Sequence, residues 1–143
     1  MTTPDPVPGL IVGFSFLWSH EAARGLTEGQ KDRPCVVIAT FDAHPGKRAI
    51  LAPITHTAPL DPAEAIALPA AIKSRLGLDD SAAWIVCSEL NITNWPGLDL
   101  RPAAGRPAGT FHYGMLPPGL YEDARQLVTR LHSTKQAKTI SRL

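Results

Sequence analysis

Residues 31–39 read Lys-Asp-Arg-Pro-Cys-Val-Val-Ile-Ala. Val36, Val37 and Ile38 are β-branched and suit a pleated, half-buried surface. They predict a strand over residues 35–40. Pro34 cannot donate to a sheet ladder, which assigns it to the strand's first position. It also drives Arg33 toward an extended backbone. A permanently charged guanidinium is thereby expected at the mouth of a rigid strand, where it can bind an anion with little reorganisation.

Upstream, Leu10 to Leu17 alternates Leu10, Val12, Phe14 and Phe16 onto one face, with Ile11, Gly13 and Ser15 on the other, and reads as the first strand. Gly13 within it points to a bend or a close backbone approach. Between the two strands lies the polar stretch 19–32, with Gly25 and Gly29, expected to be a long mobile connection of the kind that carries function. Downstream, a turn at 42–47 leads into a third strand over 48–54, which ends in Thr55-His56-Thr57. A short strand at 64–69, a helical turn at 70–76 and a strand at 82–87 follow. Asn94-Trp95-Pro96-Gly97 reads as a turn, 98–109 as irregular, and 109–114 as a last short strand. Leu120, Ala124, Leu127, Val128 and Leu131 share one helical face, predicting a helix over 120–132.

Short strands and one terminal amphipathic helix predict a mainly β chain, a small, strongly curved antiparallel barrel with that helix packed on it. The 143 residues suit one domain, with 1–8 as a loose lead-in, 9–132 as the folded unit and 133–143 as a basic, frayed tail. The 14 prolines and 11 glycines disfavour long helices, and a net charge of +1 excludes a global field that draws the protein onto polyanions. Any nucleic-acid contact is therefore local. Met1 to Pro6 lacks a positively charged leader, and the apolar run Leu10–Trp18 is far short of the ~20 residues a membrane span needs. These features predict a cytoplasmic protein with no membrane contact. Cys35 and Cys87 sit in apolar runs and read as buried free thiols, with a disulfide left open. His20, His44, His112 and His132 have no ligand spacing, so no metal and no cofactor are expected. Gly-x-x-x-x-Gly-Lys-[Ser/Thr], Gly-x-Ser-x-Gly and His-Glu-x-x-His motifs are absent.

The order of these pieces resembles the MazF/PemK family of toxins from toxin–antitoxin pairs. The matching residues are Gly9-Leu10-Ile11-Val12, the polar loop, Arg33-Pro34-Cys35-Val36-Val37-Ile38, Pro53-Ile54-Thr55-His56-Thr57, the strand Trp84–Leu90 and the helix Leu120–His132. The resemblance spans roughly residues 9–132. It implies an SH3-like barrel of the PemK/CcdB type, a homodimer, a cognate antitoxin and metal-independent cleavage of single-stranded RNA. In that reaction the 2′-hydroxyl attacks the neighbouring phosphate, with Arg33 and Thr55 in the catalytic positions. The family's Gln-x-Arg-x-x-Asp pattern is met here by Glu89, Asn91 and Asn94, so a positive charge and a carboxylate are lost and a carboxylate is gained at Glu89. His56, beside Thr55, and Glu89 are the candidate proton acceptors. Lys31, Thr57, Asn91, Trp18 and Trp95 are expected to contact RNA, the two tryptophans by stacking on bases. Two alternatives stand beside this one: a non-catalytic CcdB-like toxin that binds DNA gyrase, and an inactive RNA- or protein-binding barrel.

Overall fold

A computed structural model describes residues 3–143; the first two residues of the expected lead-in lie outside the described residues. The elements run β1 (Leu10–Ser15), α1 (Ser19–Ala23), β2 (Asp32–Asp42), β3 (Lys47–Thr55), β4 (Ala65–Ala67), α2 (Ala70–Arg75), β5 (Trp84–Val86), β6 (Glu89–Trp95), β7 (Leu100–Arg101), β8 (His112–Met115), α3 (Pro118–Ser133) and β9 (Lys138–Ser141). The protein is mainly antiparallel β, with one long helix near its C-terminus. No helix among the described residues is long and apolar enough to cross a membrane.

β2 is the middle of the sheet, paired with β1 on one side and β3 on the other. Its pairing with β1 starts at Asp32, but its pairing with β3 starts only at Cys35. Pro34 is therefore the third residue of the strand rather than the first. It still precedes the two-sided part of the ladder, where a missing N–H would cost a bond.

The outer edges of β1 and β3 are each shared by two strands. β3 gives Lys47–Leu51 to β6 and Ile54–Thr55 to β5, while β1 gives Leu10–Val12 to β8 and Gly13–Phe14 to β7. Register shifts between Val37 and Ala39 and between Ile11 and Val12 bend the sheet further. The ladder does not close into a barrel. Gly13 permits the crossing of β7, because a Cβ there would lie 2.4 Å from the Arg101 carbonyl oxygen.

The alternation read from β1 is the division of the core. Val12, Phe14 and Phe16 join Cys35, Val37, Leu51 and Trp95 on one face of the sheet. Ile11 joins Val36, Ala52 and Ile54 on the other, against Ala124, Leu127, Val128 and Leu131 of α3. Each fully buried aliphatic side chain contributes about 1.5–3 kcal/mol. The Tyr121 hydroxyl pins the helix by donating to the Ile38 carbonyl at 2.7 Å. Cys35 and Cys87 are free thiols in different clusters. Burial pushes Cys87 up to about 12, and raises Cys35 further, against the lowering pull of Arg33 and Arg142.

Several expectations change. Segment 133–143 is not a frayed tail: β9 runs parallel to β6, and Arg142 is locked into the body of the protein. The stretch 19–32 is not an open loop throughout. It begins with α1, and Gly29 sits against β1, where a Cβ would lie 2.0 Å from the Phe16 carbonyl oxygen. Asn94-Trp95 is the end of β6 rather than a turn, and the irregular 98–109 contains β7.

Candidate functional site

The open ends of β2 and β3, the start of α1 and the loops 55–60 and 77–79 surround a groove of about 950 Å³. Arg33, Thr55, His56, Glu89, Lys31, Thr57 and Trp18 all line it. The groove therefore gathers every expected site residue except Asn91 and Trp95.

Arg33 is the second residue of β2 and stands across from Phe14 of β1. Its guanidinium carbon lies 5.2 Å from the centre of the Trp18 ring, a cation–π contact. Its Nε is buried and has no hydrogen-bond partner among the described residues. A buried donor without an acceptor costs about 1–3 kcal/mol. An incoming anion that met this guanidinium would offset such a cost.

Thr55 closes β3, where pairing with Trp84 of β5 fixes its backbone. Its hydroxyl oxygen accepts the Thr57 N–H at 3.1 Å, so the hydroxyl proton remains available for donation. His56 is exposed, with Nδ1 2.9 Å from the Ala82 carbonyl oxygen and Nε2 3.1 Å from Asp79 Oδ2. Both ring nitrogens face acceptors. The Ser81 backbone N–H, and secondarily His56, hold the Asp79 carboxyl below its usual value.

Both carboxylate oxygens of Glu89 are engaged by one residue. Oε1 accepts the Ser19 N–H at 2.7 Å and Oε2 accepts the Ser19 hydroxyl at 2.6 Å. Glu21, in the first turn of α1, accepts the Trp18 N–H at 3.0 Å. Asp32 faces Arg101 at 3.5 Å. The carboxylates at Glu21, Asp32, Asp79 and Glu89 each have a donor, whereas no carboxylate of the described residues lies within ion-pair distance of Arg33.

Asn91 and Trp95 do not face the groove. Asn91 is fully buried; it accepts the Leu17 N–H at 2.9 Å and donates to the Leu17 carbonyl at 2.8 Å. The Trp95 ring is core, with its indole N–H donating to the Pro4 carbonyl at 2.8 Å. A polar side chain in a strand and a tryptophan next to a Pro-Gly pair look exposed in sequence, but here distant backbone groups satisfy them.

Sequence reasoning missed Lys73, Glu64, Ser88 and Tyr113, which also line the groove. Lys73 is buried, and its ammonium donates to the carbonyls of Asp80 at 3.3 Å and Ser81 at 2.6 Å, tying α2 to the groove wall. No local pattern marks these residues, because the fold alone brings them together. Comparison with protein-family models, curated proteins and solved structures returns no match.

Proposed function

We propose that this protein is an endoribonuclease toxin of the MazF/PemK type, cleaving single-stranded RNA in the groove without a metal ion. The observation that carries the reading is that Arg33 and Thr55 line one open groove, with Arg33 free of any carboxylate. The reading takes the sheet as an SH3-like barrel of the PemK type left open at its margins. It also carries two protein partners, a second copy of the chain and an antitoxin.

In this reaction a 2′-oxygen bonds to the adjacent phosphorus and the bond to the 5′-oxygen breaks, leaving a cyclic phosphate and a new 5′-hydroxyl. Charge grows on the non-bridging oxygens. A planar guanidinium offers them paired donors, and the Thr55 hydroxyl supplies one more. His56, beside Thr55, takes the 2′-hydroxyl proton at Nε2 once its contact with Asp79 opens and returns a proton to the departing 5′-oxygen, which becomes the new 5′-hydroxyl.

The test is incubation of single-stranded RNA with the purified protein in EDTA. Fragments are expected from the wild type, and Arg33→Ala should lower the rate by ~10²–10³-fold, as for loss of an oxyanion donor. Intact RNA, or undiminished cleavage by the variant, contradicts the reading.

One observation favours a non-catalytic alternative. Glu89 and Asn91 are committed to the backbone of residues 17 and 19, so β6 offers the groove no free carboxylate or amide. A CcdB-like toxin acting on DNA gyrase, or an inactive binding barrel, would need neither. Inhibited supercoiling with intact RNA identifies the first; salt-sensitive RNA binding without cleavage identifies the second.

A further inference from the structure

We infer that Glu89 is a positioning residue, one that holds Ser19 by both of its donors and so fixes the Trp18 ring against the Arg33 guanidinium; the inference rests on the nuclease reading. Residues 16–18 link β1 to Ser19, the first residue of α1. Three consecutive backbone donors at this junction end on side-chain oxygens: Leu17 on Asn91, Trp18 on Glu21, and Ser19 on Glu89. Glu89 and Asn91 are two apart on β6 and so project from the same face of the strand. Together they replace the ladder that this link would otherwise lack.

Trp18 sits inside that braced run. Its ring meets Phe16 edge-on at 5.2 Å and carries the Arg33 guanidinium at 5.2 Å. With no hydrogen bond to Nε from the described residues, the orientation of Arg33 depends on that ring. Glu89 therefore acts on the phosphate clamp through Ser19 and Trp18. Each of its oxygens already accepts a Ser19 donor, which favours bracing over proton transfer as its role.

A glutamine at position 89 separates bracing from proton transfer. Its carbonyl oxygen can accept the Ser19 N–H while its amide donates to the Ser19 hydroxyl oxygen. The experiment compares wild type, Glu89→Gln, Glu89→Ala and the milder Ser19→Ala. It reads the pH profile of single-stranded RNA cleavage in EDTA and the hydrogen exchange of the Ser19 amide. Glu89→Ala is expected to lower kcat by ~10–100-fold, the scale of a small misplacement, with KM much less affected and the Ser19 amide deprotected. Ser19→Ala, which keeps the backbone bond, should give a smaller loss. Glu89→Gln should recover most of the lost rate with an unshifted pH profile.

A Glu89→Gln protein as slow as Glu89→Ala but with a protected Ser19 amide would overturn the inference and make Glu89 a proton-transfer group. Wild-type cleavage by Glu89→Ala would also overturn it. If the wild type leaves RNA intact, the nuclease reading falls by itself. The Ser19 amide then decides the brace: faster exchange in Glu89→Ala supports it, and unchanged exchange rejects it.

Discussion

Arg33 and Arg142 both lie against the last residues of β1. Arg33 stands opposite Phe14 in the strand register; Arg142 lies 5.6 Å from the Phe14 ring centre and donates to the Ser15 carbonyl at 2.6 Å. Their surroundings differ in kind. The Arg142 side chain is 3% exposed, pairs with Asp99 at 2.9 Å, and also donates to Asn91 Oδ1 at 3.0 Å and the Thr27 carbonyl at 3.1 Å. Arg33 has an aromatic face beneath it, an unpartnered Nε, and an open groove in front. A guanidinium whose donors are spent on the protein is structural, whereas one held in place with donors to spare is available to a ligand. The contrast assigns the two arginines different work although the sequence marks both only as basic.

The sharpest way to break the contrast is to remove each in turn. Arg142→Ala leaves Asp99 without its cation and frees β9 from the body of the protein. It should cost about 3–5 kcal/mol in stability, read from urea unfolding. A loss below 1 kcal/mol would place Arg142 among ordinary surface charges. Arg33→Ala should do the reverse. It should raise the cleavage barrier by ~3–4 kcal/mol without a comparable loss of stability, because removing a buried donor that has no acceptor offsets the lost contact with Trp18. If both variants unfold alike, the distinction between the arginines fails.

A smaller effect comes from Cys35, whose thiol both guanidiniums pull down while burial pushes it up more strongly, and from Cys87. Each folded thiol holds its proton above the ~8.5 of a free cysteine. Its contribution to stability is therefore complete below that pH and is lost as pH rises toward the folded value, about 12 for Cys87. The slope is about 1.4 kcal/mol per pH unit for each thiol. Urea midpoints of the wild type should fall between pH 8.5 and 10, and Cys87→Ala should make that fall shallower. An unchanged slope would mean that the Cys87 thiol is not held protonated by burial.

What the sequence made legible follows from distance along the chain. β1 was readable because its alternation is local, β2 because Val36, Val37 and Ile38 form a β-branched run, β3 because a turn precedes it, and α3 because its apolar stripe repeats every turn. Arg33 and Thr55 were readable because each ends a recognisable strand. β9 was not, because Lys138-Thr139-Ile140-Ser141 has no apolar face and becomes a strand through its pairing with β6 and the Arg142 anchor. Asn91 and Trp95 were misplaced for the same reason: their partners, Leu17 and Pro4, are 74 and 91 residues away. Glu89 was read as a free carboxylate because its partner, Ser19, is 70 residues away.

The central claim is that Arg33 and Thr55 bind one phosphate of single-stranded RNA while Arg142 remains structural. The most direct measurement is a side-chain NMR titration with an uncleavable single-stranded RNA carrying 2′-deoxy sugars. The expected result is salt-sensitive shifts at the Arg33 Nε–H, the Thr55 methyl and the Trp18 indole, with the Arg142 Nε–H unmoved. Shifts confined to the opposite face, or a silent Arg33 at saturating RNA, would contradict the account.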